Sequence, residues 1–263
     1  MTKKFYITAA IPYVNGRPHA GHALEFVQGD VMARYKKIIG HETLYVSGSD
    51  ENGLKIVQAA EKQHVSPQEL ADSNTGIFLD LVKLLHVRID VWRRGSDRTL
   101  HWPGTEKLWR LCEKNGAIYK KMYGGFYCVG CEDYYTKKEL VDGKCPEHLT
   151  IPEWVEEENY FFKLSRYQKQ IENLIGSDTL LVIPKPRKNE VLSFVQSGLE
   201  DFSISRSRKR AKNWGIPVPD DDSQVIYTWY DGLNAYQTAV GFGYDDVLWN
   251  KWWPADVHVI GKG

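Results

Sequence analysis

The feature that most constrains the fold of this chain is a strand, turn and helix pattern close to its start. Residues 5–9 form an apolar stretch typical of a strand, and the run AIPYVNGRPHAGH over residues 10–22 leads from it into a helical periodicity. The two prolines of this run indicate a turn. A strand that passes through a turn into a helix is the unit of doubly wound α/β folds, where free N–H groups at the helix start face phosphate. The pattern therefore predicts a parallel sheet and a nucleotide-phosphate site.

Two histidines in this run, His19 and His22, stand three positions apart at the predicted helix start. Side chains at this spacing share one helix face, so both imidazoles can donate hydrogen bonds to one anion. Gly21 between them has no Cβ, which lets a flat ring approach the backbone, and Glu25 follows one turn later. A histidine pair at helical spacing also occurs for purely structural reasons, and here the preceding strand and turn favour the functional interpretation.

Strands and helices alternate along much of the chain. The predicted strands are residues 5–10, 43–47, 90–93 and 257–260, and the predicted helices are residues 21–39, 54–63, 68–85 and 98–115. Ser66, Pro67 and Glu69 have the spacing of a capped helix start. Such alternation predicts a parallel sheet that is covered on both faces.

From residue 117 the pattern changes to short strands, which indicates a small inserted module. The predicted strands of this part are residues 118–122, 126–128 and 159–164, and the predicted helices that follow are residues 165–175 and 188–197. A β-rich run over residues 224–229 and a helix over residues 232–241 are then expected to resume the sheet.

The module contains a metal-ligand pattern. Cys128 and Cys131 are separated by two residues, and Cys145 and His148, after thirteen intervening residues, have the same separation. Two short loops of this kind present four ligands to a tetrahedral ion. Three thiolates and one imidazole leave no open coordination position, so the pattern predicts a structural zinc ion and not a catalytic one. Cys112 falls on a helical segment, where we expect a buried small hydrophobe.

Composition narrows the class of protein. The 34 basic and 34 acidic residues balance, so no global field attracts the chain to nucleic acid. Residues 1–4 run straight into a strand, without an apolar signal sequence. No apolar span of about 18 residues occurs, and we expect a soluble, cytoplasmic protein without a membrane segment. The basic run of Arg206, Arg208, Lys209, Arg210 and Lys212 is either a solvated loop or a local contact for RNA phosphates.

Two further segments carry candidate ligand-binding residues. Asp50, in the segment SGSDENG over residues 47–53, follows the second strand, where open α/β sheets bind ligands; an acidic helix cap is the equal alternative. The segment VIYTWYDGLNAY over residues 225–236 predicts a strand followed by a helix, with Asp231 at the junction. The aromatic residues Trp229 and Tyr236 of this segment belong either to the core or to a pocket.

Together these motifs resemble those of the class I aminoacyl-tRNA synthetases and, within that class, of the methionyl family. The run from His19 to His22 is similar to the HIGH signature, with Ala20 at the second position. Residues 47–53 are similar to the methionyl stretch Gly-Thr-Asp-Glu-His-Gly, with Asn52 where histidine is common. The zinc knuckle and three other segments fit the same family, namely residues 187–192, 201–206 and 214–217. The likeness spans nearly the whole chain, and leucyl, isoleucyl and valyl enzymes would carry a larger editing insertion.

The resemblance implies a Rossmann-like parallel sheet with an inserted zinc-knuckle connective module. It divides the chain into residues 1–116, the first half of the catalytic domain, residues 117–200, the inserted module, and residues 201–263, the return to the catalytic domain. It also implies activation of methionine with ATP and Mg²⁺ to methionyl-adenylate, transfer of methionine to tRNA(Met) in protein synthesis, and one structural Zn²⁺ per chain.

The site residues of the family carry over to matching positions of this sequence. The resemblance implies an ATP site, in which the two histidines stabilise charge on the α-phosphate, formed by His19, Gly21, His22, Glu25 and Asp231. It implies a methionine site, with Asp50 on the α-ammonium group, formed by Ile11, Pro12, Tyr13, Asp50, Trp229 and Tyr236. Aromatic walls suit a thioether, because sulfur gains from contacts with aromatic rings.

The second signature of the family, Lys-Met-Ser-Lys-Ser, and its anticodon-binding bundle are absent from the 263 residues, which end with Gly263 where aspartate is common. We therefore expect the amino-terminal portion of a synthetase, incompetent alone and completed by a carboxyl-terminal chain or segment. Two alternatives stay open. A non-tRNA nucleotidyltransferase would have no reason for the zinc knuckle or the aromatic pocket. A zinc-knuckle RNA-binding or scaffold protein would carry the histidine motif incidentally.

Overall fold

The computed structural model describes residues 3–261, and this part of the chain forms one parallel sheet, two antiparallel sheets and eight α-helices. In chain order the strands are Lys4–Ala9 (β1), Glu42–Ser49 (β2), Val91–Arg94 (β3), Ile118–Cys128 (β4), Asp133–Tyr135 (β5), Glu153–Phe162 (β6), Phe202–Ser203 (β7), Ser205–Ser207 (β8), Pro217–Val218 (β9), Asp221–Ile226 (β10) and Val257–Val259 (β11). The helices are Ala20–Ile38 (α1), Leu54–Gln63 (α2), Pro67–Leu84 (α3), Trp102–Lys114 (α4), Gln168–Gly176 (α5), Lys185–Gln196 (α6), Thr228–Thr238 (α7) and Asp246–Trp252 (α8), with a 3₁₀ turn at Leu164–Tyr167. Within residues 3–261 no helix has the length and apolar character that crossing a membrane requires.

The parallel sheet joins the first three strands and the last one. Its order is β11-β1-β2-β3, and all neighbouring strands are parallel, with Ile7 opposite both Tyr45 and Val257. Because successive side chains of a strand point to opposite faces, β1 contributes to two cores. Ile7 packs in a cluster with residues of α1, α2 and α3, whereas Tyr6 packs with α8 and the end of α7 on the other face. The predicted parallel sheet with two covered faces is confirmed.

Local signals set the starts of two helices. The Ser66 hydroxyl accepts a hydrogen bond from the Glu69 N–H at 3.2 Å, and the Glu69 carboxylate accepts one from the Ser66 N–H at 2.8 Å. This confirms the predicted cap of α3. Helix α4 begins at Trp102, four residues later than predicted, because the Asp97 carboxylate first closes a turn by accepting from the N–H of Leu100.

Antiparallel pairing dominates the middle of the chain. Strand β4 pairs with β5 and β6, and β7 extends the sheet, which has the order β5-β4-β6-β7. The two short strands predicted at residues 118–122 and 126–128 are one strand, because Gly124 and Gly125 stay paired with Glu156 and Val155 of β6. Strand β7 lies after residue 200, so this sheet includes residues beyond the predicted end of the module. The division at residues 116 and 200 stays a prediction.

The run over residues 224–229, which was predicted to resume the parallel sheet, contributes to a different sheet. Strand β10 pairs with β8 and β9 in a separate antiparallel sheet, and of the strands that follow residue 200 only β11 joins the parallel sheet of the described chain. Helix α7 begins at Thr228, so Trp229 lies in its first turn and not in a strand. The prediction was wrong because β-branched and aromatic residues favour a strand locally, whereas the Thr228 hydroxyl donates to buried Asp50 at 2.5 Å and the chain turns there.

Candidate functional site

The start of α1 carries the two predicted histidines as a capping pair. His19 is the N-cap residue, and its Nδ1 accepts a hydrogen bond from the Gly21 N–H at 3.1 Å. His22 Nδ1 accepts from the His19 N–H at 3.1 Å, and the two rings stack with centroids 3.8 Å apart. Burial and then the neighbouring His19 hold the pKa of His22 below its usual value, so His22 is neutral at neutral pH. Because Nδ1 accepts a hydrogen bond in each ring, the ring proton lies on Nε2, which has no hydrogen-bond partner among the described residues.

Gly21 makes room for this arrangement. A Cβ on Gly21 would lie 2.9 Å from Cε1 of His19, so the flat ring that approaches the backbone here is the imidazole of His19 itself. Glu25 is half-buried one turn later, and burial raises the pKa of its carboxyl, which accepts a hydrogen bond from the Gly261 N–H. The segment after β11 therefore lies beside α1. The predicted departure from the family at Gly263 falls outside the described residues.

The loop after β1 lies against the end of β2. Tyr13 and Asp50 form an isolated parallel bridge, and the Asp50 N–H donates to the Pro12 carbonyl at 2.9 Å. Ile11 Cδ1 and Asp50 Oδ2 lie 3.5 Å and 3.2 Å from the position that a Cβ on Gly232 would take. The structure thus brings the predicted residues of both segments, and the start of α7, to the carboxyl edge of the parallel sheet.

Two buried carboxylates, Asp50 and Asp231, form the centre of the site. Asp50 Oδ1 accepts from the Thr228 hydroxyl, and Asp231 Oδ2 accepts from the Asn52 side-chain amide. Burial, and then repulsion from Asp231, raises the pKa of Asp50 well above its usual value, and burial likewise raises that of Asp231. His101 Nε2 is 3.9 Å from Asp231, but burial lowers the pKa of His101 to about 3, so this ring is neutral. With no lysine or arginine paired to them among the described ion pairs, these carboxylates favour a cationic ligand group.

Aromatic side chains surround this acidic pair. The rings of Tyr13 and Trp229 meet edge to face with centroids 6.5 Å apart, and Trp229 is 41% exposed. The Tyr13 hydroxyl is buried and has no hydrogen-bond partner among the described residues. Burial, together with the nearby charges of Asp50 and Glu25, raises the pKa of Tyr236 to about 12, although the hydrogen bond from the Ile11 N–H acts in the opposite direction. Tyr236 therefore lies near both Asp50 and Glu25, and the unpartnered Tyr13 hydroxyl is available to a ligand among these aromatic rings.

The sequence analysis did not single out three residues of the site. Thr228, within the segment over residues 225–236, donates to Asp50, and His101 lies 3.9 Å from Asp231. Glu132, which follows the metal-ligand residue Cys131, is buried, and its carboxylate accepts from the Lys55 N–H at 3.0 Å at the start of α2. Only the metal-ligand spacing pointed near Glu132, because these contacts arise between segments that are far apart in the sequence.

The four predicted metal ligands meet in the module. Their ligand atoms all lie within 4.8 Å of one another, in a cluster of Cys128, Cys131, Cys145 and His148. Cys131 Sγ is 3.4 Å from Cys145 Sγ and 3.2 Å from His148 Nδ1. A tetrahedral zinc ion about 2.3 Å from each sulfur places the sulfurs about 3.8 Å apart, close to the spacing found here. A Cβ on Gly130 would lie 2.5 Å from the His148 ring, so this glycine provides the space that the ligand occupies. Cys112 is half-buried against the Trp109 cluster, away from the ligands.

Only some residues of the basic run over residues 206–212 lie on the protein surface. Arg206 is buried, its guanidinium carbon lies 4.1 Å from the Tyr227 ring centroid, and it donates to the Glu132 carbonyl at 3.0 Å. Arg206 therefore cannot contact an external phosphate, and the prediction that included it among the candidate RNA contacts was wrong for this residue. Arg210 pairs with Glu153. The exposed members of the run are Arg208, Lys209 and Lys212, and Lys212 pairs with Glu61 at 2.6 Å.

Comparison with known proteins agrees with this geometry. The family model described as tRNA synthetases class I (M) matches residues 5–150 and 148–263. The chain is 42% identical over 266 aligned residues to a methionine–tRNA ligase of Brucella suis, covering 99% of this chain and 50% of that protein. It is 40% identical to the methionine–tRNA ligase of Thermotoga maritima, covering 98% of this chain and 41% of that protein. The chain thus spans about half the length of these relatives.

Solved structures of similar fold include a methionyl-tRNA synthetase in a bound and a free form. The methionyl-tRNA synthetase of Mycobacterium tuberculosis bound by methionyl-adenylate superposes with a TM-score of 0.91 at 38% identity, covering 97% of this chain and 51% of that one. Its free form superposes with a TM-score of 0.82 at 35% identity, covering 99% and 50%.

Proposed function

Since the chain belongs to the class I (M) family of tRNA synthetases, we propose that it contributes the amino-terminal part of a methionine–tRNA ligase, which activates methionine with ATP and transfers it to tRNA(Met) in the cytoplasm. The observation that carries the proposal is the buried Asp50 and Asp231 pair, enclosed by aromatic rings beside two free imidazole donors. One end of this arrangement suits an ammonium group and a thioether, and the other suits phosphate.

Methionine would bind with its α-ammonium group against Asp50. Two buried carboxylates without a cationic side-chain partner gain when a cation enters, and this accounts for a preference for the ammonium group. Tyr13, Trp229 and Tyr236 would enclose the side chain, with Ile11 and Pro12 completing the floor. The unpartnered hydroxyl of Tyr13 supports hydrogen bonding close to the sulfur.

ATP would bind at the start of α1, with Mg²⁺ as its usual companion. A methionine carboxylate oxygen attacks the α-phosphorus, the new carboxyl–phosphate bond forms, and the bond to pyrophosphate breaks with its electron pair leaving on the pyrophosphate oxygen. No base is needed because the carboxylate is already ionised, so positioning and charge stabilisation are the catalytic tasks. His19 and His22 would donate from Nε2 to the charge that gathers on the phosphates. Gly21 and Glu25 would complete the nucleotide site; Asp231, which the resemblance also assigns to that site, interacts with Asp50 and would face the ammonium group of methionine.

We propose that the cluster of Cys128, Cys131, Cys145 and His148 holds one structural Zn²⁺. Three thiolates and an imidazole complete a tetrahedral shell, so the ion would order the loops and supply no reactive water. Through Glu132, which follows Cys131 and caps the start of α2, this order would extend to the loop that carries Asp50.

A carboxyl-terminal half, supplied as a segment or a separate chain, would complete the enzyme. Relatives about twice as long support this proposal. So does an apolar stripe along the outer face of α1, formed by Leu24, Val31, Tyr35 and Ile38, each at least 59% exposed. These positions share one helix face, and we propose that the second half covers it. For tRNA, the exposed Arg208 and Lys209 are the members of the basic run that are left for phosphate contact.

Ligand-dependent stabilisation tests the proposal. Methionine and Mg²⁺-ATP should each raise the melting temperature of the chain, and a panel of leucine, isoleucine and valine should not. Methionine-dependent exchange of pyrophosphate into ATP should require an added carboxyl-terminal half. Stabilisation by RNA with none by methionine would instead indicate an RNA-binding module.

A further inference from the structure

Asn52 lies between the two aspartates and contacts both of them. Its side chain is buried, and its Nδ2 donates to Asp231 Oδ2 and, at 2.8 Å, to the Gly95 carbonyl. Its backbone N–H donates to the Asp50 carboxylate. One residue thus joins the end of β2 to the end of β3 and to the first turn of α7.

The orientation of the Asn52 amide follows from its neighbours. The Gly95 carbonyl oxygen and the Asp231 carboxylate oxygen are both acceptors, so the amide nitrogen faces both and uses both of its hydrogens. The amide plane is therefore fixed at two points. With Asp231 Oδ2 held in this way, Asp231 Oδ1 is left buried without a hydrogen-bond partner among the described residues.

Besides backbone N–H groups of α7, the polar side chain near Asp231 is His101, and it cannot replace the contact with Asn52. His101 Nε2 is 3.9 Å from Asp231 Oδ2, beyond hydrogen-bond distance. Its Nδ1 is already within 2.9 Å of the Thr238 hydroxyl, which holds the ring in place. Of the described side chains, Asn52 therefore supplies the hydrogen bond that sets the direction of Asp231.

We propose that Asn52 is a positioning residue, which orients Asp231 so that its free oxygen and the Asp50 carboxylate face the same cationic group of the ligand. The inference rests on the proposed binding of methionine, whose α-ammonium group is that cation. It also gives a role to a position at which this chain departs from the histidine that is common in the methionyl family.

Calorimetric titration of methionine into the wild-type chain and into Asn52→Ala and Asn52→Asp tests the role. Both variants lose the donor to Asp231, and we expect the affinity for methionine to fall at least tenfold, with the larger loss in Asn52→Asp because it adds a third carboxylate. Asn52→His keeps a ring N–H donor, and we expect it to bind methionine within about threefold of the wild type.

Asn159→Ala is the matched control. Asn159 is also a buried asparagine whose Nδ2 donates to a carboxylate, Glu157 at 3.1 Å, and whose Oδ1 has no partner among the described residues, but it lies in β6. This variant should lose comparable thermal stability and keep its affinity for methionine. Equal affinity in wild type and Asn52→Ala, or loss of binding in a folded Asn52→His, would overturn the positioning role and leave the proposed function standing. Absence of methionine binding to the wild type would remove the proposed function itself.

Discussion

His22 shows, at the scale of single residues, one side chain with two separate tasks. Its Nδ1 completes the cap of α1, and its Nε2 is the free donor of the proposed ATP site. Capping affects the stability of the empty chain, whereas the Nε2 donor affects only the bound nucleotide. Substitutions can therefore separate the two tasks.

We predict that His22→Glu keeps the stability of the chain and abolishes stabilisation by ATP. Glutamate at the third helical position is a standard capping-box residue, so the cap persists, while its charge repels phosphate. His22→Ala should lose the cap as well, at a cost of about 1 kcal/mol in the free energy of unfolding. Melting curves with and without Mg²⁺-ATP measure both effects. A full ATP-induced shift in His22→Glu would contradict the role of His22 in the site.

Asp50 gives a second residue-scale prediction, with a defined dependence on pH. Because burial and Asp231 raise the pKa of Asp50 in the folded chain, the stability this group contributes is complete below its usual pKa and is lost as pH rises through the raised one. Asp50→Asn keeps an oxygen that accepts from Thr228. It should therefore melt at a higher temperature than the wild type near neutral pH, by a margin that shrinks toward pH values of about 4, and it should lose the response to methionine.

Asp97→Asn is the control, because the pKa of Asp97 is shifted in the opposite direction to that of Asp50. Although partial burial raises the pKa of Asp97, hydrogen bonds from Leu100 and Thr99 bring it below the usual value. Its stabilising contribution is present above the usual pKa and is lost only as pH falls, so Asp97→Asn should melt lower than the wild type at neutral pH. A lower melting temperature for Asp50→Asn at neutral pH would contradict the raised pKa of Asp50.

At the scale of elements, the metal cluster supports a helix of the parallel domain. Glu132 directly follows Cys131 in the sequence. Its carboxylate accepts a hydrogen bond from the Lys55 N–H and lies beside Gly53 at the start of α2. Arg206 holds the Glu132 carbonyl from the other side. The start of α2 therefore depends on the loop that carries the predicted metal ligands Cys128 and Cys131.

We predict that Gly130→Ala weakens the binding of zinc at least tenfold, because the added methyl group occupies the space of the His148 ring. Competition for zinc with a chromophoric chelator measures the affinity. Gly176→Ala, at a helical position with nothing within 4 Å of the added Cβ, is the control and should bind zinc as the wild type does. Equal zinc affinity in both variants would show that His148 does not need this space.

At the scale of the whole molecule, the proposed phosphate site and the apolar stripe lie on the same helix, α1. The start of α1 carries the histidines, and the outer face carries Leu24, Val31, Tyr35 and Ile38. A partner that covers the stripe would stabilise α1 along its length and hold the histidines in place. We therefore propose that association with a second half and order in the proposed phosphate site are linked through α1.

We predict that Val31→Glu weakens association with a carboxyl-terminal half taken from the Brucella suis relative and leaves the fold intact. Burying a charged side chain in an apolar interface costs free energy, so the substitution opposes association. Because Val31 is 59% exposed in this chain, the same substitution leaves the fold intact. Sedimentation of the mixed halves measures association. Ile151→Glu, which charges an 80% exposed residue near the metal cluster, should associate normally. Equal association of both variants would place the contact elsewhere.

Patterns along the chain sufficed for the elements whose signals are local. The capped start of α3, the alternation of strands and helices and the paired metal ligands all follow from spacing within a few residues, and each was predicted. The limits of local signals are seen in β10, where strand-forming residues end at a helix that begins at Thr228. Arg206 is another case, because a basic run gives no sign that one member is buried against tyrosine rings.

Residue order along the chain is enough to predict a parallel sheet, a helix that begins at a histidine pair and a cluster of four possible metal ligands, because turn residues, periodicity and ligand spacing act over short stretches of backbone. Tertiary structure alone decided that Asn52 orients Asp231, that Thr228 holds Asp50, and that Glu132 joins the metal cluster to α2. Those contacts join residues 77 to 179 positions apart. Their energies come from burial and hydrogen bonding that exist only after the chain has folded.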